Sequence, residues 1–301
     1  MALRYHFGAC QEGSRREVIS IRDVTSKPVV IWGPSQDWLQ SALGRPAEIW
    51  HYRGLLANLV LRDVRLRYRG TVLGVIWCLL NPLAMTLIFT LLFTVFMPNK
   101  AISNFPVFAL IGVLVWNFHA SSIVGGIQSI TANSALLTKT HFPRELLPLS
   151  MVLSNGVNFL FAIPILVAFL MLFGIGIGWG LLLLPIVVLI QIGFLAGFAF
   201  IFATANVYYR DTGIIMESLL LAWFFLTPVF YQPQDLFPEW QRLLYIVNPV
   251  ASVLASYRDI LYSNAAPEGL FLLRSATEAG AFLIFGWLIF HRFADRFVEE
   301  L

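Results

Sequence analysis

LLLLPIVVLIQIGFLAGFAFIFATANV, residues 181–207, contains no charged side chain. The hydrocarbon interior of a bilayer is about 30 Å thick, which about 20 helical residues cross, so this stretch reads as a transmembrane helix. Runs of similar length and character flank it, at residues 72–97, 106–130 and 146–173 before it and 213–231 and 270–290 after it. Of 301 residues, 58% are hydrophobic and 12% charged, more apolar side chain than one soluble core can hide, so lipid must be the solvent. The expected fold class is an all-α integral membrane protein with six transmembrane helices. The last two spans carry polar residues: Glu217 lies one turn inside the fifth, and Arg274 and Glu278 form an i,i+4 pair able to neutralise each other in the sixth.

Residues 1–47 are mixed and polar, broken by Gly33-Pro34-Ser35 and Gly44-Arg45-Pro46, with a short strand expected at Val29 to Trp32. They read as a cytoplasmic N-terminal arm. The first fifteen residues, with Arg4, His6 and Gln11, lack the apolar core and cleavage site of a signal peptide. In residues 48–70 the pattern becomes helical. Tyr52, Leu55, Leu56, Leu59, Val60 and Val64 fall on one stripe, with Asn58, Arg62, Arg65 and Arg69 opposite. An interfacial amphipathic helix is expected there, its arginines reaching lipid head groups; an amphipathic helix on a soluble domain is the alternative. Residues 71–301 then form the six-helix transmembrane domain.

Basic residues near the span ends orient the chain, because positively charged loops stay cytoplasmic. Arg53, Arg62, Arg65, Arg67, Arg69, Lys139, Arg144, Arg210, Arg292 and Arg296 fall on one side, against Lys100, Arg242, Arg258 and Arg274 on the other. An even number of spans places both termini in the cytoplasm. Residues 232–268 fit no simple outer loop: 236–247 and 250–262 are apolar but too short to cross. They are expected to be two short re-entrant external helices parted by Asn248-Pro249 and facing the inside of an assembly, or amphipathic helices lying on the outer surface.

The chemistry is sparse. No Walker-type glycine loop occurs, so the energy for transport must come from a partner or a gradient. The histidines, His6, His51, His119, His141 and His291, have no zinc spacing, and Cys10 and Cys78 form neither a metal motif nor a disulfide framework. The arginines sit beside apolar runs without aromatic interleaving, which argues against nucleic acid. Glu217 is expected to form an ion pair near Arg210 and Asp211, or else to carry protons. Asn81, Asn117, His119, Asn155, Asn158, Gln191 and Asn206 lie inside the spans, where each must face another helix or a lumen. Of the many aromatics, some belong to interfacial belts, while a ring of them at mid-membrane would give sugar rings an apolar platform.

Four motifs stand in order. Leu61-Arg62-Asp63-Val64-Arg65-Leu66-Arg67-Tyr68-Arg69-Gly70-Thr71-Val72-Leu73-Gly74 runs toward Trp77 and Asn81-Pro82; Phe142-Pro143-Arg144-Glu145-Leu146-Leu147-Pro148-Leu149-Ser150 opens the third span; then come Asn206-Val207-Tyr208-Tyr209-Arg210-Asp211 and Thr227-Pro228-Val229-Phe230-Tyr231 with Asn248-Pro249. Together they resemble the polysaccharide-exporting permeases of ABC transporters, which include O-antigen, capsule and teichoic acid exporters. The resemblance implies a transport subunit that is not an enzyme, in the bacterial inner membrane, working as a homodimer with two copies of a nucleotide-binding ATPase subunit. That subunit would hold ATP and Mg; this chain would need no cofactor or metal. The substrate would be a lipid-linked glycan or a polyol phosphate polymer.

By the same resemblance, Asn133, Leu136, Leu137, Lys139, His141, Phe142, Arg144 and Glu145 would couple to the ATPase, and the helices in 232–268 would gate the outer face. Trp77, Phe89, Phe93, Trp116, Phe118, Phe230 and Tyr231 are candidates for the substrate path. Arg62, Arg65, Arg67 and Arg69 are candidates for lipid head groups or a substrate pyrophosphate. The alternatives are the same architecture exporting a smaller lipid or drug, a proton-driven carrier, and a membrane enzyme on lipid-linked sugars built around His141, Arg144 and Glu145.

Overall fold

A computed structural model describes residues 19–21, 29–31, 48–70, 76–96, 102–139, 142–176, 178–236 and 238–300, with side chains throughout these except at 19–21, 29–31, 77–79, 235, 236, 298 and 299. The chain divides into two units, Met1–Pro46 and Ala47–Leu301. In the first, β1 (Ile19–Ile21) and β2 (Val29–Ile31) pair antiparallel, with Ile19 opposite Ile31, so the strand expected at Val29 has a partner. The signal-peptide reading, Cys10 and His141 fall outside the described residues.

The second unit is helical. Its elements are α1 (Arg53–Tyr68), α2 (Trp77–Leu91) running into a π turn (Leu92–Phe96), α3 (Phe105–Gln128), α4 (Ser134–Lys139), α5 (Leu146–Leu172), α6 (Leu184–Tyr208), α7 (Thr212–Leu226), α8 (Pro233–Leu236), α9 (Gln241–Val247), α10 (Pro249–Leu261), α11 (Gly269–Ala294) and α12 (Phe297–Glu300). Among the described residues, four helices are long and apolar enough to cross a membrane: α3, α5, α6 with its leading 3-10 turn, and α11. The expected first and fifth spans are shorter apolar helices, Leu80–Phe96 and Thr212–Leu226.

Prolines explain where the helices stop short. α7 ends five residues before the expected boundary because Thr227, ahead of Pro228, is extended at φ −87°, ψ 134°, the conformation a following proline favours. The first of the two short helices expected in residues 232–268 shrinks to α9 because Pro238 interrupts it. α10 starts at Pro249, a first helical position where the missing N–H costs nothing.

The centre of the unit is α3 against α6, ringed by α5, α7, α10 and α11. α3 has 78% of its apolar window buried and α11 only 17%, so α3 is enclosed by protein whereas α11 turns most of its surface outward. Small residues bring the helices together: Gly126 of α3 meets Ala199 of α6, and Gly197 of α6 meets Gly286 of α11 backbone to backbone.

α1 buries the anticipated stripe. Leu59 is buried, and Tyr52, Leu55 and Leu56 pack with it on a cluster that includes Ile130, Leu137, Leu146 and Leu147, so this face rests on protein. The Arg274–Glu278 pair forms at 3.1 Å. Glu217 differs from expectation: it is exposed, and no ion pair holds it among the described residues. The packed face of α7 is Met216, Leu220 and Phe224, which turns Glu217 outward.

Candidate functional site

A cavity of about 420 Å³ opens where four elements meet. α1 supplies Arg67 and Tyr68, α2 Asn81 and Pro82, α3 Asn117, Phe118 and Ser121, and α5 Asn155, Asn158 and Phe159. Arg67 Nη1 donates to Asn155 Oδ1 at 2.8 Å, and the Tyr68 hydroxyl donates to Asn158 Oδ1 at 2.7 Å. Asn155 Nδ2 donates in turn to the carbonyls of Met151 (2.8 Å) and Ser121 (3.2 Å). Asn158 Nδ2 is buried without a hydrogen-bond partner among the described residues. Phe118 stacks on Phe159 at 5.2 Å and forms the apolar wall.

The intramembrane amides thus divide into two sets. Asn81, Asn117, Asn155 and Asn158 share the cavity. Gln191 and Asn206 bind helices together instead: Gln191 Nε2 donates to Val115 O at 3.2 Å and its Oε1 accepts from the Tyr257 hydroxyl at 2.9 Å, while Asn206 Nδ2 donates to Ile127 O at 3.1 Å.

The four candidate head-group arginines also separate. Arg67 reaches the cavity, whereas Arg62 Nη2 bonds Asp63 (2.8 Å) and Asn133 (3.1 Å) and so ties α1 to the turn after α3. Arg65 and Arg69 are exposed without reaching the cavity, and Arg67 is itself exposed.

Of the coupling candidates, Leu137 is buried with Leu59, Leu146 and Phe297, and Leu136 and Phe142 pack against that cluster. Lys139 is exposed and Arg144 half-buried. Glu145 is 2% exposed, with Oε1 at 3.4 Å from Nδ1 of His291 on α11.

The aromatic candidates form a packed column rather than a lined opening. Phe230 stacks on Phe89 at 3.8 Å, Phe93 lies 6.3 Å from Phe230, and Trp116 continues the column through Phe224. Among the described side chains of the set, Phe118 alone lines the cavity. The Tyr231 hydroxyl donates back to Leu226 O at 3.2 Å; the Trp77 side chain is outside the described residues.

The two proline motifs meet at one junction. Asn248 Oδ1 accepts from Ala251 N (3.3 Å), capping α10, and from Trp223 Nε1 (3.0 Å), while its Nδ2 donates to Thr227 Oγ1 (3.0 Å). The broken backbone after α7 is satisfied by Arg258, whose guanidinium donates to Pro228 O (2.5 Å) and Val229 O (2.6 Å) and lies over the Phe108 ring. Arg258 had counted as an outer-loop charge; it is buried. Gly112 lets Val229 approach α3, since a Cβ there would stand 2.7 Å from its carbonyl oxygen. Asn248→Ala removes the cap and two side-chain bonds and is expected to cost about 2 kcal/mol, read as a lower unfolding midpoint; Asn248→Asp, which keeps the cap and the Trp223 acceptor, recovers most of it.

Sequence reasoning missed Tyr68, Ser121, Tyr257 and Arg258. The signal for Tyr68 was its place beside Arg67 in the last turn of α1, but the partner 90 residues away is visible only in the fold.

Residues 55–262 match the family described as ABC-2 type transporter. The chain is 38% identical over 255 residues to the O-antigen export system permease protein RfbA of Myxococcus xanthus, covering 84% of this chain and 98% of that one. A Klebsiella pneumoniae protein of the same name is 32% identical over 251 residues, covering 82% and 95%.

Proposed function

The chain belongs to the ABC-2 type transporter family, and from that membership we propose that it is the permease subunit of an ATP-driven exporter of lipid-linked polysaccharide of the O-antigen type. It is an integral membrane transport subunit and not an enzyme, and membership of an ABC family implies an ATPase partner. The observation that carries the substrate class is the likeness to the Myxococcus xanthus permease along nearly its whole length.

In this reading two copies of the chain assemble with two ATPase subunits, which bind ATP and Mg. α2 and α7, with the turns that flank them, complete six spans. Both termini lie on the cytoplasmic side of a bacterial inner membrane, a placement supported by the arginine distribution. α9 and α10 are the re-entrant pair that gates the outer face, supported by the burial of Asn248 and Arg258 against α7 and α3.

Residues 131–145 receive the push of the ATPase. The support is mechanical: Arg62 links this segment to α1, and Glu145 links it to α11. The path opens between the α2 and α7 helices of the two protomers, with the Phe89, Phe93 and Phe230 column behind it. Arg65 and Arg69 attract anionic head groups at its mouth.

Co-purification of the tagged chain from its host membrane tests this. A stoichiometric ATPase carrying a Walker motif is expected, and Lys139→Glu with Arg144→Glu is expected to abolish both its retention and polymer export. A homo-oligomer without an ATPase, or unaltered export in the double variant, contradicts the proposal.

A further inference from the structure

We propose that the cavity between α1, α2, α3 and α5 binds the phosphate of a lipid head group through Arg67 and Asn158. Among the described residues of its lining Arg67 is the only charged one, and none of them is a carboxylate that compensates it. The hydrogen-bond partner of Arg67 is the neutral amide of Asn155, which leaves the positive charge uncancelled and most of the five guanidinium donors unspent.

Asn158 is oriented for the same task. Its oxygen accepts a hydrogen bond from the Tyr68 hydroxyl, so its Nδ2 is left as a buried donor with no acceptor among the described residues. A buried donor of this kind is costly unless something accepts from it. The amides of Asn81 and Asn117 add donor capacity on the facing helices. A neutral sugar could engage the amides but would leave the charge unanswered; a phosphate ester answers both, through charge-assisted bonds to the guanidinium.

Size and position agree. The volume falls in the range of small-molecule pockets, about 300–1,000 Å³, enough for a phosphate with adjoining atoms. Arg67 lies in the last turn of α1, and Leu114, Phe118 and Phe159 provide an apolar wall for the start of a hydrocarbon chain. Two lipids share the required chemistry: a membrane phospholipid and a polyprenyl diphosphate. Naming the second as the natural ligand rests on the exporter reading; the phosphate site does not.

Native mass spectrometry of the full complex, titrated with polyprenyl diphosphate, phosphatidylglycerol or neutral diacylglycerol, tests the site. Arg67→Gln and Asn158→Asp are each expected to weaken phosphate-lipid binding about tenfold or more, while Arg67→Lys stays close to wild type. Diacylglycerol binding should not change, and the exposed Arg210→Gln should match wild type. Equal competition by phosphatidylglycerol assigns the site to membrane phospholipid, and failure to compete assigns it to the diphosphate lipid. Wild-type affinity in both variants, or an equal loss for diacylglycerol, overturns the proposal. Export is measured separately: intact phosphate binding without polymer export sinks the exporter reading alone, and polymer export with binding unchanged in the variants sinks the site alone.

Discussion

Arg258→Met is expected to lower the stability of the membrane unit by about 3 kcal/mol and to stop transport. The guanidinium donates to Pro228 O and Val229 O, two carbonyls that no helix can serve because Pro228 ends α7. Each such bond to a charged donor contributes about 1.5–3 kcal/mol, and a buried carbonyl left without a donor carries its full desolvation cost. The loss is partly offset because methionine removes a buried charge that was itself costly to desolvate. Arg258→Lys separates the two effects: it keeps the charge but cannot fork across both carbonyls, so a stability between wild type and Arg258→Met is expected. Unfolding midpoints in mixed detergent decide the matter, and equal stability of Arg258→Met and wild type would show that the junction is held by other contacts.

The second large effect lies where α6 meets α11. A Cβ on Gly197 would stand 2.5 Å from Phe282 O, and one on Gly286 would collide with the backbone of Gly197. Backbone cannot turn aside as a side chain can, so the helices must separate. Lipid-immersed helices gain little from the hydrophobic effect on meeting and depend on close packing, so separation forfeits most of what joins them. Gly286→Ala is expected to cost about 3 kcal/mol, and Gly286→Leu to prevent folding. Gly197→Ala should cost a similar amount, and Gly197→Ala with Gly286→Ala clearly less than the sum, because one displacement of the helices relieves both clashes. Gly280, with nothing within 4 Å of its would-be Cβ, is the control: Gly280→Ala should be neutral or mildly stabilising through helix propensity. Full additivity would mean that the two glycines act at separate places.

Much of the architecture is local and therefore legible in the chain. An uncharged run such as residues 181–207 must lie in lipid, and in lipid the backbone must satisfy itself, which leaves helix as the form. The helix start at Pro249 follows from proline chemistry two or three atoms away, as does the helix end at Thr227, although the apolar run expected for that span extends to residue 231. The packed stripe of Leu55, Leu56 and Leu59 on α1 and the Arg274–Glu278 pair depend only on the 3.6-residue turn.

The grouping of the polar residues is another matter. Each amide inside a span had to find a partner, yet nothing local distinguishes Asn158, which lines a cavity, from Asn206, which binds the backbone of α3. That choice depends on how each helix is rotated and how near its neighbour comes. Gly126, Gly197 and Gly286 allow the approach, but only the packed assembly uses it. Arg258 makes the same point with a charge. By composition it belonged to an outer loop, and it is buried because the backbone broken at Pro228 offers two carbonyls that only the folded junction brings within its reach.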